Sequence, residues 1–356
     1  MSEEKSQTIG LPKLSNSMIW MINFGFLGVQ TAFTLQSSQM SRIFQTIGAD
    51  PNNLGWFFIL PPLAGLIVQP IIGYYSDRTW APKLGGRRLP YLLLGTIVAV
   101  IVMLLLPNSG SFGFGYGSLA ALWFGAITVA FLDLSSNVAM QPFKMMVGDM
   151  VNDDQKSYAY GVQSFLSNTG AVLAAIFPFL LTWFGVPNKA AKGVVPQSVI
   201  ISFYVGAALL VITSLFTVFR VHEYDPATYA KYHGISEEDN KEGGNWLTLL
   251  RHAPKAFWTV TLVQFFCWFA FQYLWTYSAG AIASNVWHTT NATSACYQAA
   301  GNWYGVLAAV QSIAAVIWSY VLAKVPNKYH KLGYAGSLFL GAIGFYRSSS
   351  SMTNGR

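Results

Sequence analysis

The sequence predicts an all-α protein built from membrane-spanning helices, and three observations carry that expectation. Of 356 residues, 53% are hydrophobic and only 10% are charged, whereas a soluble domain carries close to a quarter of its residues as charges. Apolar stretches long enough to cross a hydrocarbon core of about 30 Å as helices recur along the chain. The Lys and Arg residues gather in alternate loops.

Nine such stretches are expected, at 16–40, 54–75, 89–107, 118–142, 158–182, 197–219, 256–281, 299–323 and, shorter than the rest, 332–346. The first is too long for a signal peptide and lacks a small-residue cleavage site, so it reads as a span. A net charge of +7 would suit an acidic partner such as nucleic acid, but its distribution argues otherwise. Counted from a cytoplasmic N-terminus, the inside loops hold Arg78, Lys83, Arg87 and Arg88 after the second span, Lys144 and Lys156 after the fourth, and Lys231, Lys241, Arg251 and Lys255 before the seventh. The outside loops hold only Arg42, Lys189 and Lys192. Basicity then reports topology in a cell (plasma) membrane and no nucleic-acid partner is expected. All five histidines fall in loops, no metal-ligand cluster or hydrolase motif appears, and Cys267 and Cys296 lie at different depths. The chain therefore reads as a non-enzyme without metal or organic cofactor.

In order along the chain, span 1 places Asn16, Asn23, Gln30 and Ser37 at seven-residue steps with Thr34 beside them. Seven residues turn a helix by about −20°, so these side chains share a face. Such a face suits either sugar hydroxyls or hydrogen bonds between helices. Asn23, Gln30 and Thr34 are its substrate candidates. Span 2 carries Pro61, Pro62 and Pro70 and no acid until its end, Gly73-Tyr-Tyr-Ser-Asp77-Arg78, where a short basic loop leads to Gly86-Arg87-Arg88 at the start of span 3.

Span 4 contains Asp133, which stands alone as a charge within the apolar stretches so drawn. A carboxylate in hydrocarbon costs about 2.5–3.5 kcal/mol on insertion scales, so it marks a cavity, a partner or an ion path. On one helix Asn137 lies about 40° and Lys144 about 20° around from Asp133, while Lys144 sits roughly 16 Å further along the axis. Asp133 and Lys144 therefore take separate roles. Span 7 sets Gln264, Trp268, Phe271 and Trp275 on one face, a pattern that suits either stacking on a sugar ring or ordinary aromatic packing. The polar stretch 220–255 reads as a cytoplasmic linker between an N-terminal six-helix bundle, 1–219, and a partial C-terminal bundle, 256–346. The polar end 347–356 reads as lying outside the fold, a truncation scar.

Gly73, Asp77, Arg78, Gly86, Arg87 and Arg88 resemble the loop signature of the major facilitator superfamily, between its second and third helices. More closely, L-I-V-Q-P-I-I-G-Y-Y-S-D-R in span 2 and F-L-D-L-S-S-N-V-A-M-Q-P-F-K-M-M-V-G-D in span 4 resemble the sucrose and maltose proton symporters, the plant sucrose transporter and solute-carrier-45 branch. In that resemblance Asp133 matches the family's aspartate, Asn137 its second Asn, Pro142 its Pro and Asp149 its last Asp. Ser136 stands for the first Asn and Lys144 for an arginine, which loses a bidentate fork.

The resemblance implies a major facilitator fold cut short at its C-terminus and proton-coupled uptake of a disaccharide by alternating access. Asp133 would take up the coupling proton, and Asn137, Gln264 and Trp268 would join the span 1 face against the sugar. Asp77, Arg78, Arg87, Arg88, Lys144 and Asp149 would form a conformational charge network. The proton is preferred to sodium because span 2 lacks the acids of sodium-coupled relatives. A different solute on the same fold, or an inactive remnant or membrane sensor, is the alternative. The expected partners are a small sugar and the bilayer, with the protein a monomer.

Overall fold

α1 (Asn16–Thr46) is the axis on which the other helices pack. Its apolar and small residues recur around nearly the whole circumference, the pattern of a helix enclosed by neighbours, and Ile19, Ile22, Val29, Ala32, Ile43 and Phe44 are fully buried. Ser15 opens it, its Oγ accepting the backbone N–H of Met18 at 3.2 Å, which satisfies a donor the first turn leaves free. The computed structural model describes residues 10–50, 60–191, 193–234, 251–323 and 329–353.

The remaining helices are α2 (Leu60–Arg78), α3 (Leu89–Leu105) with a 3-10 turn at Leu106–Ser111, α4 (Leu119–Met150), α5 (Asp153–Trp183), α6 (Gln197–Arg220), the short α7 (Pro226–His233), α8 (Lys255–Val286), α9 (Ala295–Ala323) and α10 (His330–Thr353). Among the described residues extended pairing is confined to one bridge between Ala81 and Gly86. Ser118 and Asn152 cap α4 and α5 as Ser15 caps α1. α5 and α6 flank α1, α4 covers a third side, α3 lies between α4 and α6, and α2 lies on α4.

Small residues let these helices close on one another. A Cβ on Gly170 of α5 would lie 2.4 Å from the Leu27 carbonyl oxygen of α1, and one on Gly28 would lie 2.7 Å from the Leu210 Cα of α6. Lipid tails are as apolar as Leu, so helix association in a membrane rests on such close packing and on hydrogen bonds between helices. Thr31 supplies one, its hydroxyl donating to the Leu27 carbonyl at 2.8 Å and to that of Gly170 at 3.3 Å.

α8 and α9 are buried at one end alone. Thr276, Ala279 and Ala283 of α8, and Tyr297, Ala300 and Tyr304 of α9, pack where α1 finishes, whereas Phe265, Trp268 and Phe269, and Leu307, Ile313 and Ile317, are exposed further along. The two helices thus close on α1 and α5 at that end and part from them toward the other.

Seven of the described helices are long and apolar enough to cross a membrane, so the protein is a multi-pass integral membrane protein. α2 and α10 fall short of that test; in α2, Gln69, Asp77 and Arg78 dilute the apolar run, and the expected start of this span, 54–59, lies outside the described residues. α10 continues through the serine run to Thr353.

Two expectations are corrected. α1 runs to Thr46 and α4 to Met150, so Arg42 is no loop residue but a fully buried one inside α1, and Lys144 lies within α4. Asp133 is therefore not the lone charge in a span. The apolar run stops before the helix does, because Ser, Thr and Gln continue a membrane helix by bonding back to it, as the Thr46 hydroxyl does to the Arg42 carbonyl at 2.8 Å.

Gly170→Val should drive α5 off α1. A loss of about 1–3 kcal/mol is expected from the overpacking, read as a lower melting temperature in detergent than that of Gly148→Val, whose Cβ meets nothing within 4 Å.

Candidate functional site

Asp133 sits at the crossing of α4 with α1 and α2 and is 7% exposed. Each carboxylate oxygen takes one amide N–H: Oδ1 from Gln36 Nε2 of α1 at 3.3 Å, and Oδ2 from Asn137 Nδ2, one turn along α4, at 2.9 Å. Asn137 Nδ2 also reaches the Asp133 carbonyl at 2.9 Å, which holds the amide in place. Its Oδ1 accepts Gln69 Nε2 of α2 at 2.7 Å, and Gln69 Oε1 in turn accepts Gln141 Nε2 at 2.9 Å.

α2 approaches through Gly65, where a Cβ would lie 3.3 Å from Asn137 Nδ2 and 3.5 Å from Asp133 Oδ2. Gln36 Oε1 is buried without a hydrogen-bond partner, as is the Ser136 hydroxyl on the neighbouring turn. A buried, unsatisfied acceptor beside a carboxylate is a place for an incoming donor.

The predicted substrate face of α1 divides. Gln30, Thr34 and Ser37 are half-buried along an accessible stripe, with Gln30 Nε2 3.4 Å from the Thr34 hydroxyl. Asn23, further toward the start of α1, is fully buried. Its Nδ2 donates to the Ile19 carbonyl at 3.0 Å and the Ala159 carbonyl at 3.4 Å, and its Oδ1 accepts Gln163 Nε2 at 2.9 Å. Its polar atoms are engaged in joining α1 to α5, the interhelical alternative the residue types also allowed. On α8, Gln264 is exposed, and Trp268 lies edge-on to Phe271 and Trp275, centroids 6.3 and 6.0 Å away. This cluster reaches α1 where Trp275 meets Phe33 at 6.2 Å.

At the end of the bundle where α2 and α4 finish, the charges form a compact network. Asp149 Oδ2 pairs with Arg87 at 2.9 Å and Arg88 at 3.1 Å, and Arg88 also pairs with Asp77 at 2.5 Å. The Arg87 guanidinium lies over the Tyr229 ring of α7, 3.7 Å from its centroid, and the Tyr229 hydroxyl donates to Asp149 Oδ1 at 3.3 Å. Nothing in the sequence points to Glu223, whose Oε1 accepts the backbone N–H groups of Arg88 at 2.8 Å and Leu89 at 3.2 Å, capping α3 from just beyond the end of α6.

Two expected members stay apart. Arg78 stacks on Tyr74, 3.7 Å from its centroid, and donates to the Tyr74 carbonyl one turn back. Among the described residues no carboxylate lies within ion-pair distance of Lys144, which the helical turn carries to an exposed face of α4.

The profile of MFS/sugar transport proteins matches residues 21–353, nearly the whole chain. The chain belongs to that family. Sucrose transport protein SUC4 of Arabidopsis thaliana is 24% identical over 269 residues, covering 72% of this chain and 52% of that protein. SUC3 of the same plant is 22% identical over 329 residues, covering 73% and 55%, and SUT5 of Oryza sativa subsp. indica is 31% identical over 135 residues, covering 35% and 25%. The chain thus spans about half the length of the two Arabidopsis relatives. The crystal structure of a bacterial homolog to human lysosomal transporter, Spinster, in inward-facing and unoccupied conformation matches 86% of this chain and 62% of its own at a TM-score of 0.52 and 14% identity. That likeness shows the fold.

Glu223 supplies a pH test. Burial pushes its carboxyl above the usual range, against the backbone N–H groups of Arg88 and Leu89 that favour the ionised form. A raised folded-state value means stability present at low pH and lost as pH rises through it. Glu223→Gln keeps an acceptor for both N–H groups and cannot ionise, so the melting temperature of the native chain should fall relative to this variant as pH rises through and above the usual range of a glutamate carboxyl. A constant difference would remove Glu223 ionisation from the balance.

Proposed function

We propose that the chain carries a small sugar of the disaccharide class, sucrose or maltose in type, across a cell membrane by alternating access with a proton as coupling ion. The observation that carries this reading is the Asp133 carboxylate, buried between α1, α2 and α4 with one amide N–H on each oxygen. Membership of a sugar transport family and likeness to plant proteins named for sucrose transport support the substrate class.

A carboxylate accepts at both oxygens, whereas the neutral acid must donate at one of them. Protonation therefore weakens the amide bond on the oxygen that takes the proton, Gln36 or Asn137, and adds an O–H that needs an acceptor. Turning Gln36 would bring its unpartnered Oε1 toward the new O–H, and would loosen or re-form the tie between α1 and α4. Asn137 passes any change to α2 through Gln69. Charge state and helix packing are thereby linked at one residue, which coupled transport requires.

The half-buried stripe of Gln30, Thr34 and Ser37 offers hydroxyl and amide partners for a sugar. Trp268 offers a ring face. The cluster of Asp77, Arg87, Arg88 and Asp149 fits a network that locks α2, α4 and α7 in one state and releases them in another. Its concentration of guanidinium groups supports reading that end, and with it the N-terminus, as cytoplasmic. The opposite end, where α1 finishes, is then the outer one.

Asp133→Asn keeps the size and one acceptor oxygen but cannot carry a proton. In proteoliposomes it should abolish accumulation of labelled sugar driven by an inward proton gradient while preserving counterflow exchange. Accumulation at the native level would take the proton role away from Asp133; uptake of lactate but not of sucrose or maltose would overturn the substrate class.

A further inference from the structure

The outer end contains a charge that the transport reading leaves unused. Arg42, 0% exposed, sits one turn before the end of α1. Among the described residues its guanidinium meets neutral amides and no carboxylate. Nε donates to Gln298 Oε1; Nη1 donates to Asn302 Oδ1 at 2.9 Å and Gln39 Oε1 at 3.3 Å; Nη2 donates to Asn188 Oδ1 at 2.6 Å. Gln298 and Asn302 belong to α9, and Asn188 to the loop between α5 and α6. One buried cation therefore ties three parts of the chain that are remote in sequence.

The surroundings leave the guanidinium little room. A Cβ on Gly301 would lie 3.0 Å from Arg42 Cδ, and one on Gly305 would lie 2.2 Å from the Ala175 carbonyl oxygen of α5. Asn302 Nδ2 donates to the Thr182 hydroxyl at 3.0 Å and Gln298 Nε2 to that of Thr46 at 3.2 Å, which aims their carbonyl oxygens at Arg42. The Ser198 hydroxyl instead donates to Asn188 Oδ1 at 2.7 Å, the oxygen that also accepts Arg42, and so fixes it in place. This is also the end at which α8 and α9 are buried, before they part from α1 and α5.

We propose that Arg42 is the latch of the outer gate, a positioning residue that holds α9 and the loop after α5 against α1 while that end is closed. The proposal rests on the transport reading for which end is outer and why it must open. A carboxylate partner would hold the cation by direct charge attraction in a dry, low-dielectric site, which each opening would have to overcome. Neutral amides leave only dipoles, which entering water satisfies, and Arg42 itself then gains hydration. Three amide contacts to α9 and the loop after α5 make the closed state specific without making it irreversible.

The test uses the chain with Cys267 and Cys296 replaced by Ser and a single reporter, Ala300→Cys, whose native residue is fully buried in the closed end. A membrane-impermeant maleimide is added from outside to oriented proteoliposomes, with no sugar and no gradient. Arg42→Met should label about tenfold faster than the Arg42 protein, the shift expected when a charged hydrogen-bonding group is lost. Asn302→Ala, which keeps the charge and removes one acceptor, should also label faster by a smaller factor. If Arg42→Met does not fold, Asn302→Ala and Gln298→Ala carry the test alone. Unchanged labelling in folded variants, judged by an unaltered size-exclusion profile, would overturn the latch. Labelling needs no transported solute, so faster labelling in a protein that takes up no sugar would leave the latch standing and count against the transport reading alone.

Discussion

A polar group inside a low-dielectric bundle must find its partner on another helix or turn back on its own, and α1 shows how far that constraint organises this chain. From one end to the other, Thr217 of α6 receives the backbone N–H of Gly25 at 3.0 Å and donates to the Met21 carbonyl at 3.1 Å, and Asn23 meets Gln163 and Ala159 of α5. Thr31 meets Gly170, Gln36 meets Asp133 of α4, and Arg42 meets the loop after α5 and α9. Individually such bonds contribute on average about 0.6 kcal/mol in a membrane. Their value lies in register: each fits one rotation of α1 and one depth, and together with the glycine contacts they leave α1 little freedom to slide.

The two ends of the bundle are held by different chemistry. Near α7, opposite charges compensate one another, and Asp77 is more than half exposed, so water reaches the cluster. Exposed and partly exposed ion pairs contribute little net stability each, and the aromatic ring of Tyr229 and the backbone caps from Glu223 give that end its geometry. At the end of α1 the cation is dry and its partners are neutral. An ion-pair cluster discriminates between arrangements by the sign of charge, while an amide cage discriminates by the direction of its carbonyls. The first tolerates side-chain rearrangement; the second demands that α9 and the loop after α5 arrive together.

What could be read from the sequence was local. Asp133 and Asn137 lie one helical turn apart, and the structure joins them. Asp77, Arg87 and Arg88 lie within one short connection, and Asp149 joins them from a helix end on the same side. What escaped was supplied from far along the chain or hidden by a boundary. Gln36 and Glu223 are partners from α1 and the end of α6, with nothing in their neighbourhood to announce them. Arg42 was misplaced because the apolar run ended before the helix. Arg78 and Lys144 have the right residue types for a charge network, but the turn of α2 directs the first back onto Tyr74 and that of α4 carries the second to an exposed face. Hydrophobicity locates helices; it does not say which of their polar atoms will face one another.

The position of Gln36 and Arg42 on one helix links the chemistry at the centre to that at the end where α1 finishes. Six residues separate them, about 9 Å of helix axis. Gln36 is bound to Asp133, and Arg42 is bound to α9. Under the proposed coupling, a change in the carboxyl's protonation that alters the tie between Gln36 and α4 acts on the same helix that carries Arg42. Arg42 and its cage, built from α9 and the loop after α5, would feel that change through α1 and not through α4. Because the cage is built of fixed carbonyl directions, the proposed coupling would turn a small shift at Asp133 into the loss of several bonds at Arg42 together.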